Sequence, residues 1–188
     1  VARPRSEDKH QALLAATVRV ITTRGLGAPT AQIAQEAGVS NGTLFLYFPT
    51  KAALFNALYL SLKSAMASAS LASLPRQAPL RDQLEHLWMG WMGWTQAHPE
   101  ERRALELLGV CDEVTPETRQ KGHELMAPIA DLLDQSRQEG PLHAAPLAYV
   151  VGLMNAVAET TVAFLHSEPA LGEQHRKWGF EALWRIVT

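Results

Sequence analysis

Apolar positions along the chain recur mostly at spacings of one, three and four, the period of a helix, and glycine, proline and capping residues punctuate them. Lys9–Thr23 carries Leu13, Ala16, Thr17, Val20 and Ile21 on one face and ends at Gly25 and Gly27. Thr30 is placed to cap a short helix over Thr30–Ala37, with Ile33, Ala34 and Ala37 inward. Gly38 follows as a left-handed stop, Val39 tucks back, and Ser40 caps a second short helix, Asn41–Phe48, that buries Leu44 and Phe48. Pro49 disfavours helical backbone at Phe48 and ends it. Thr50 opens a long helix to about Ser73, striped by Leu54, Leu58, Leu62 and Met66 at spacing four. After the proline-rich break Ser73–Pro79, further helices are predicted over Leu80–Ala97, Pro99 to about Cys111, and Pro116–Gln138, with a kink at Pro128. Two more follow, Pro146 to about His166 and Gly172–Val187. The expectation is an all-α chain.

Within it, Thr30–Lys51 reads as a helix-turn-helix. Its second helix has a sparse buried side and leaves Asn41, Gly42, Thr43, Phe45, Leu46 and Tyr47 outward. That mixture suits a major groove: an amide pairs with adenine, a threonine bonds a base or touches a thymine methyl, and aromatic or aliphatic groups cover methyls and sugars. Lys51 falls in the first turn of the next helix, where the helix dipole disfavours a cation by roughly 0.3–1 kcal/mol. A phosphate at that end reverses the sign; the alternative is a solvated lysine. Residues 1–7 read as a polar arm, with Arg3 and Arg5 either solvated or reaching a minor groove.

Composition sharpens this reading. The 188 residues are 47% hydrophobic and 19% charged, enough for a full core, with a net charge of only −2. The charge is unevenly spread. Residues 1–51 hold six basic against three acidic side chains, a surplus of +3, and the remainder holds eleven against sixteen, −5. A basic head on an acidic body puts the phosphate-facing surface near the N-terminus. The single cysteine, Cys111, excludes an internal disulfide and fits a reducing cytosol, and the opening residues show no export leader. No two of the seven histidines lie three or four apart, so a metal site is not expected. Neither a nucleophile elbow, a phosphate loop nor a paired-carboxylate motif is present, which argues against an enzyme.

The later helices carry the remaining chemistry. WMGWMGW places Trp88, Trp91 and Trp94 in an inclined band, about 60° of drift per step. Gly90 and Gly93 there signal either a close helix crossing or room for a ligand. A mostly apolar pocket is expected from Trp88, Trp91, Met92, Leu108, Cys111, Met126, Met154, Asn155 and Glu159, the last needing a partner if buried. Leu147–Leu165 is apolar on nearly every side, but Gly152, Asn155, Glu159 and threonines interrupt it too often for a membrane span. Two burials explain it, one in the core and one against a partner subunit. Gly152 and Ala156 allow close backbone approach, and Val151, Ala158, Val162 and Trp184 are the expected interface residues.

The run T-x-x-I-A-x-x-A-G-V-S-x-G-T-L-F-x-Y-F-P-x-K-x-x-L, Thr30 to Leu54, closely resembles the DNA-binding domain of the TetR family of bacterial transcriptional regulators. The likeness extends over about Lys9–Tyr59 and beyond that rests on length and helical character. It implies that Tyr47 and Lys51 contact the DNA backbone and that Thr43 lies near bases or phosphate. Thr30, Ser40, Asn41, Gly42, Phe45 and Leu46 complete the expected DNA-facing set. At position 45 the family usually has tyrosine, whose hydroxyl reaches a phosphate; Phe45 keeps the ring and lacks that bond. Two domains are implied, residues 1–50 binding DNA and residues 51–188 binding ligand and dimerising through the last two long helices. The expected protein is a cytoplasmic homodimeric repressor, without cofactor, that binds a palindromic double-stranded operator and answers to a small effector. The rivals are a DNA-binding protein of this fold that senses no metabolite, and a helical enzyme or carrier.

Overall fold

The computed structural model describes residues 3–188, with side chains from residue 7 onward. Nine α-helices and one 3₁₀ turn make up the secondary structure of the described residues, in the order α1 Arg3–Arg24, α2 Thr30–Glu36, α3 Asn41–Tyr47, α4 Lys51–Leu71, α5 Leu80–Ala97, α6 Pro99–Gly109, α7 Pro116–Ser136, α8 Leu147–Ser167, the 3₁₀ turn Pro169–Leu171 and α9 Gly172–Val187. The helical segmentation expected from periodicity is therefore found, mostly within two residues at each end. The first helix is the exception: it begins at Arg3, so the backbone over residues 3–7 is helical rather than an irregular arm. The Arg3 and Arg5 side chains lie outside the described residues.

The chain forms two compact units, residues 1–64 with 98–123, and residues 65–97 with 124–188. Both are discontinuous, because α4 and α7 each contribute to both. The unit around the helix-turn-helix thus takes in α6 and the start of α7 as well as residues 1–50. Its core is built from Leu13, Ile21, Ile33, Leu44, Leu54, Phe55 and Leu58, all 1% exposed or less, with Leu108 and Val114 beside them. α1 packs on α2 and α6, and the Arg19–Glu36 pair at 2.7 Å ties α1 to α2 at the surface.

In the second unit α5, α8 and α9 pack pairwise around Met92, Leu133, Val150 and Phe180. Gly90 marks a crossing: a Cβ there would lie 2.8 Å from the carbonyl oxygen of Ala69. Of the two readings offered by the glycine pair, close helix approach holds at Gly90, whereas a Cβ at Gly93 would meet nothing within 4 Å. Pro128 sits inside α7 without dividing it. The loop after α7 is pinned by Arg137, which donates to the carbonyls of Leu142, His143 and Ala145 while pairing with Asp134.

Candidate nucleic-acid interface

α2 and α3 are held at a fixed angle by a turn whose hydrogen bonds are all supplied locally. At the end of α2 the N–H of Val39 donates to the Ala34 carbonyl at 2.9 Å and that of Gly38 to Gln35 at 3.1 Å. Gly38 has φ +69°, and a Cβ there would touch nothing, so backbone conformation rather than space calls for glycine. Together these bonds form the Schellman stop that the sequence suggested. Ser40 then caps α3, its Oγ accepting from the Thr43 N–H at 3.0 Å and lying 2.9 Å from Thr43 Oγ1. Phe48 closes α3 in extended backbone, φ −132° and ψ 99°, as the following Pro49 requires.

The α2 start differs from expectation. Pro29 holds the N-cap position in extended backbone and Thr30 is the first helical residue, with no side-chain cap bond. Proline supplies the extended cap backbone, and its carbonyl accepts from the Gln32 N–H at 3.0 Å.

Leu44 and Phe48 anchor α3 inward at 0% and 3% exposure. Asn41, Gly42, Phe45 and Leu46 are exposed, Leu46 at 84%. The Asn41 amide makes no hydrogen bond among the described residues and is free for a base or a phosphate. Thr43 and Tyr47 are only half-buried outward groups: Tyr47 packs its ring on the first core, and the Thr43 hydroxyl is engaged with Ser40. Of the expected DNA-facing residues, Ser40, Asn41, Gly42, Phe45 and Leu46 are exposed, and Thr30, Thr43 and Tyr47 are half-buried.

Thr50 caps α4 as expected, accepting from the Ala53 N–H at 2.9 Å. Lys51 is neither freely solvated nor idle. Its Nζ donates to the Leu26 carbonyl at 2.5 Å and stands 5.2 Å above the Phe55 ring. These contacts offset the unfavourable dipole at the head of α4.

Asn56 is a structural residue that periodicity did not reveal. Its Nδ2 donates to the carbonyls of Ala52 and Glu113, and its Oδ1 accepts from the Thr115 N–H at 3.0 Å. Arg119 adds bonds to the carbonyls of Gly109 and Cys111, so the α6–α7 loop is closed by two side chains. The visible signal was an amide alone on a mainly apolar helix. Lys63 is half-buried with its ammonium over the Tyr59 ring, and desolvation holds its pKa below the ordinary lysine value. Burial likewise raises the Tyr59 phenol, partly countered by Arg119.

The residues expected to line one pocket belong to two cores. Leu108 and Cys111 are buried in the first. Trp88 and Met92 are buried in the second, with Trp91, Met126 and Met154 packed partly buried against it. Trp88 donates its indole N–H to the Arg176 carbonyl at 2.9 Å and meets Trp91 edge-on at 5.9 Å. Asn155 and Glu159 are exposed, so Glu159 needs no buried partner. No cluster of metal-ligating side chains occurs among the described residues.

Two interface expectations are corrected. Ala158 and Val162 are 2% and 4% exposed and belong to the chain's own second core, while Val151 and Trp184 are half-buried against it. A helix apolar all round does not announce which stripe turns inward. The stripe left outward on α8 is Tyr149, Ala156, Thr160 and Phe164, with Gly152, and it continues on α9 as Trp178 and Ala182. A groove runs between those helices, lined in part by His175, whose ring is tilted against Phe164 and meets Trp178 edge-on. By length and composition α8 could cross a membrane, yet it belongs to the packed second unit, where Val150, Ala158, Thr161, Val162 and Leu165 are buried.

Residues 13–58 match the model of the bacterial regulatory proteins of the tetR family. The chain is 24% identical to the nucleoid occlusion factor SlmA of Shewanella woodyi, over 99% of this chain and 95% of that one. Among solved structures it is similar to a TetR-family transcription regulator from Marinobacter aquaeolei VT8, with a TM-score of 0.88 and 26% identity over 98% of both chains. Another, from Shewanella sp. PV-4, gives a TM-score of 0.84 and 29% identity over 94% of this chain and 96% of that one. Bacillus subtilis FadR in complex with stearoyl-CoA shares the fold at 18% identity, TM-score 0.70, over 95% and 99% of the two chains. Motif, family match and whole-chain fold point the same way: residues 13–58 match the tetR family model, and the whole chain is similar in fold to TetR-family transcription regulators.

Proposed function

We propose that the protein is a homodimeric, ligand-responsive repressor that binds a palindromic operator, with α3 of each subunit in a major groove. The observation that carries this reading is α3 itself: a short helix, capped at Ser40 and anchored by Leu44, that turns Asn41, Gly42, Phe45 and Leu46 to solvent. No intramolecular packing explains that face, and its width and chemistry suit base edges. Residues 1–50 supply the DNA contacts and residues 51–188 the sensing and pairing functions. Lys51 keeps N–H donors beyond the one given to Leu26 and takes a phosphate at the head of α4.

Pairing through α8 and α9 is supported by their outward apolar stripe, which is long, continuous and flanked by small residues at Gly152 and Ala156. A four-helix bundle across a two-fold axis would cover it and fix the spacing of two reading heads. It also accounts for the apolar outward side of α8 without a membrane, in keeping with a cytoplasmic protein.

The effector in this reading is small and mostly apolar. Trp91, Met126 and Met154 offer partly buried, adaptable apolar surface in the second unit. A bound acyl-CoA in a protein of the same fold supports such a ligand class. The effector acts only through different affinities for DNA-competent and incompetent states. A second reading, DNA binding without a metabolite, draws on the whole-length similarity to a nucleoid occlusion factor. Footprinting on the DNA upstream of the gene, with and without apolar compounds, tests both. Protection released by a compound supports the first; protection insensitive to compounds that also leave the melting temperature unchanged supports the second.

A further inference from the structure

Gly42 and Leu46 lie four residues apart on α3 and so stand in one column of its outward face. Their environments are complementary in an unusual way. Gly42 has no left-handed φ, and a Cβ built there would meet only Ser40 Oγ, at an ordinary 3.8 Å. Neither backbone nor packing within the chain requires glycine, unlike Gly38 with its φ of +69° or Gly90 against the Ala69 carbonyl. Leu46 is 84% exposed, the largest value among the exposed large apolar side chains. Read together, the column is a bare strip of backbone beside a projecting isobutyl group.

We propose that this column is a specificity-determining ridge: Gly42 lets the α3 backbone approach the floor of the major groove, and Leu46 packs on the C5-methyl of a thymine. The inference rests on the DNA-binding reading above and names which base it selects. The chemistry leaves little choice. Base edges in the major groove present nitrogen and oxygen acceptors, amino donors, and one apolar group, the thymine methyl. A leucine side chain neither donates nor accepts, and it would leave any other edge group without its water. Close approach is needed because a methyl contact falls away within about an ångström. The nearest hydroxyls do not compete for the position, since those of Ser40 and Thr43 are bonded to one another. The basic surplus of residues 1–51 matches the duplex by charge.

The test uses the full-length protein and a duplex enriched by the wild-type protein from a random pool. Each thymine of one half-site is replaced in turn by deoxyuridine, which removes only the methyl. One such position is expected to weaken wild-type binding about four-fold, the weight of one methylene-sized group taken from water. With Leu46→Ala the same replacement should change affinity by less than about 1.5-fold, because its partner is gone. Gly42→Ala should fold with an unchanged or slightly higher melting temperature, as relief of glycine's chain entropy predicts, and yet bind the duplex at least about ten-fold more weakly. If every deoxyuridine duplex binds wild type equally, or if Leu46→Ala keeps the full methyl effect, the assignment is overturned although DNA binding stands. If Gly42→Ala binds as tightly as wild type, the close-approach role is overturned. Failure of the wild type to enrich any duplex would remove the DNA-binding reading itself.

Discussion

The ammonium of Lys51 donates to the Leu26 carbonyl at 2.5 Å, joining the head of α4 to the loop between α1 and α2. A cation in the first turn of a helix is misplaced by the dipole, and here the carbonyl and the Phe55 face compensate for it. The same bond holds the lysine beside the helix-turn-helix, so ordering the side chain for a phosphate costs less entropy on binding. On the DNA-binding reading proposed above, one residue would serve both the free fold and the bound state.

Lys51→Ala is expected to weaken binding to all duplex sequences alike and to reduce the slope of log affinity against log salt by about one. It should also lower stability by about 1 kcal/mol through the lost carbonyl bond. Titrations at several salt concentrations check the first, and urea denaturation the second. An altered sequence preference at constant slope would contradict the phosphate role.

Ser40→Ala removes the α3 cap and is expected to cost about 1 kcal/mol. The Thr43 hydroxyl is released at the same time, so the loss in DNA affinity should exceed the loss explained by stability alone. Comparing denaturant midpoints with operator affinities at saturating native fraction separates the two effects.

α2 and α3 were legible in advance because their boundaries rest on local chemistry. Gly38 and Pro49 act through backbone preferences and Ser40 through a bond to the N–H three residues on, so none needs a distant partner. The Lys51–Leu26 and Asn56–Thr115 bonds were not legible, since they join residues about 25 and 59 positions apart. The same limit governed α8, whose apolar residues surround it and cannot by themselves choose an inward stripe. Ala158 and Val162 were assigned to a partner for that reason, and they fill the chain's own core instead.

Lys63 makes stability depend on alkaline pH. Its pKa is lowered by desolvation in the folded chain, so the unfolded chain holds its proton to higher pH. The penalty is complete below the folded pKa and vanishes above the unfolded one. Stability should therefore rise with pH through the interval between them. Lys63→Met is expected to be more stable than wild type at neutral pH, with the advantage shrinking as pH approaches the ordinary lysine range. Denaturation midpoints of both proteins across that interval check the sign.

Trp178 is 56% exposed on the α9 side of the outward stripe and packs edge-on to His175. Trp178→Glu places a charge in the proposed subunit seam and should convert a dimer to monomer at micromolar concentration, with little change in helical content. Sedimentation equilibrium reads the first and circular dichroism the second. A wild type that is already monomeric at those concentrations would contradict pairing through this face.

Paired α3 helices reading a duplex in two-fold symmetry are tested most directly by selecting binding sites from random double-stranded DNA with the purified full-length protein. The expected outcome is an inverted repeat, its half-sites centred about one helical turn or more apart and containing thymine. Recovery of an unrepeated sequence, or of a pool no different from the starting one, would contradict it.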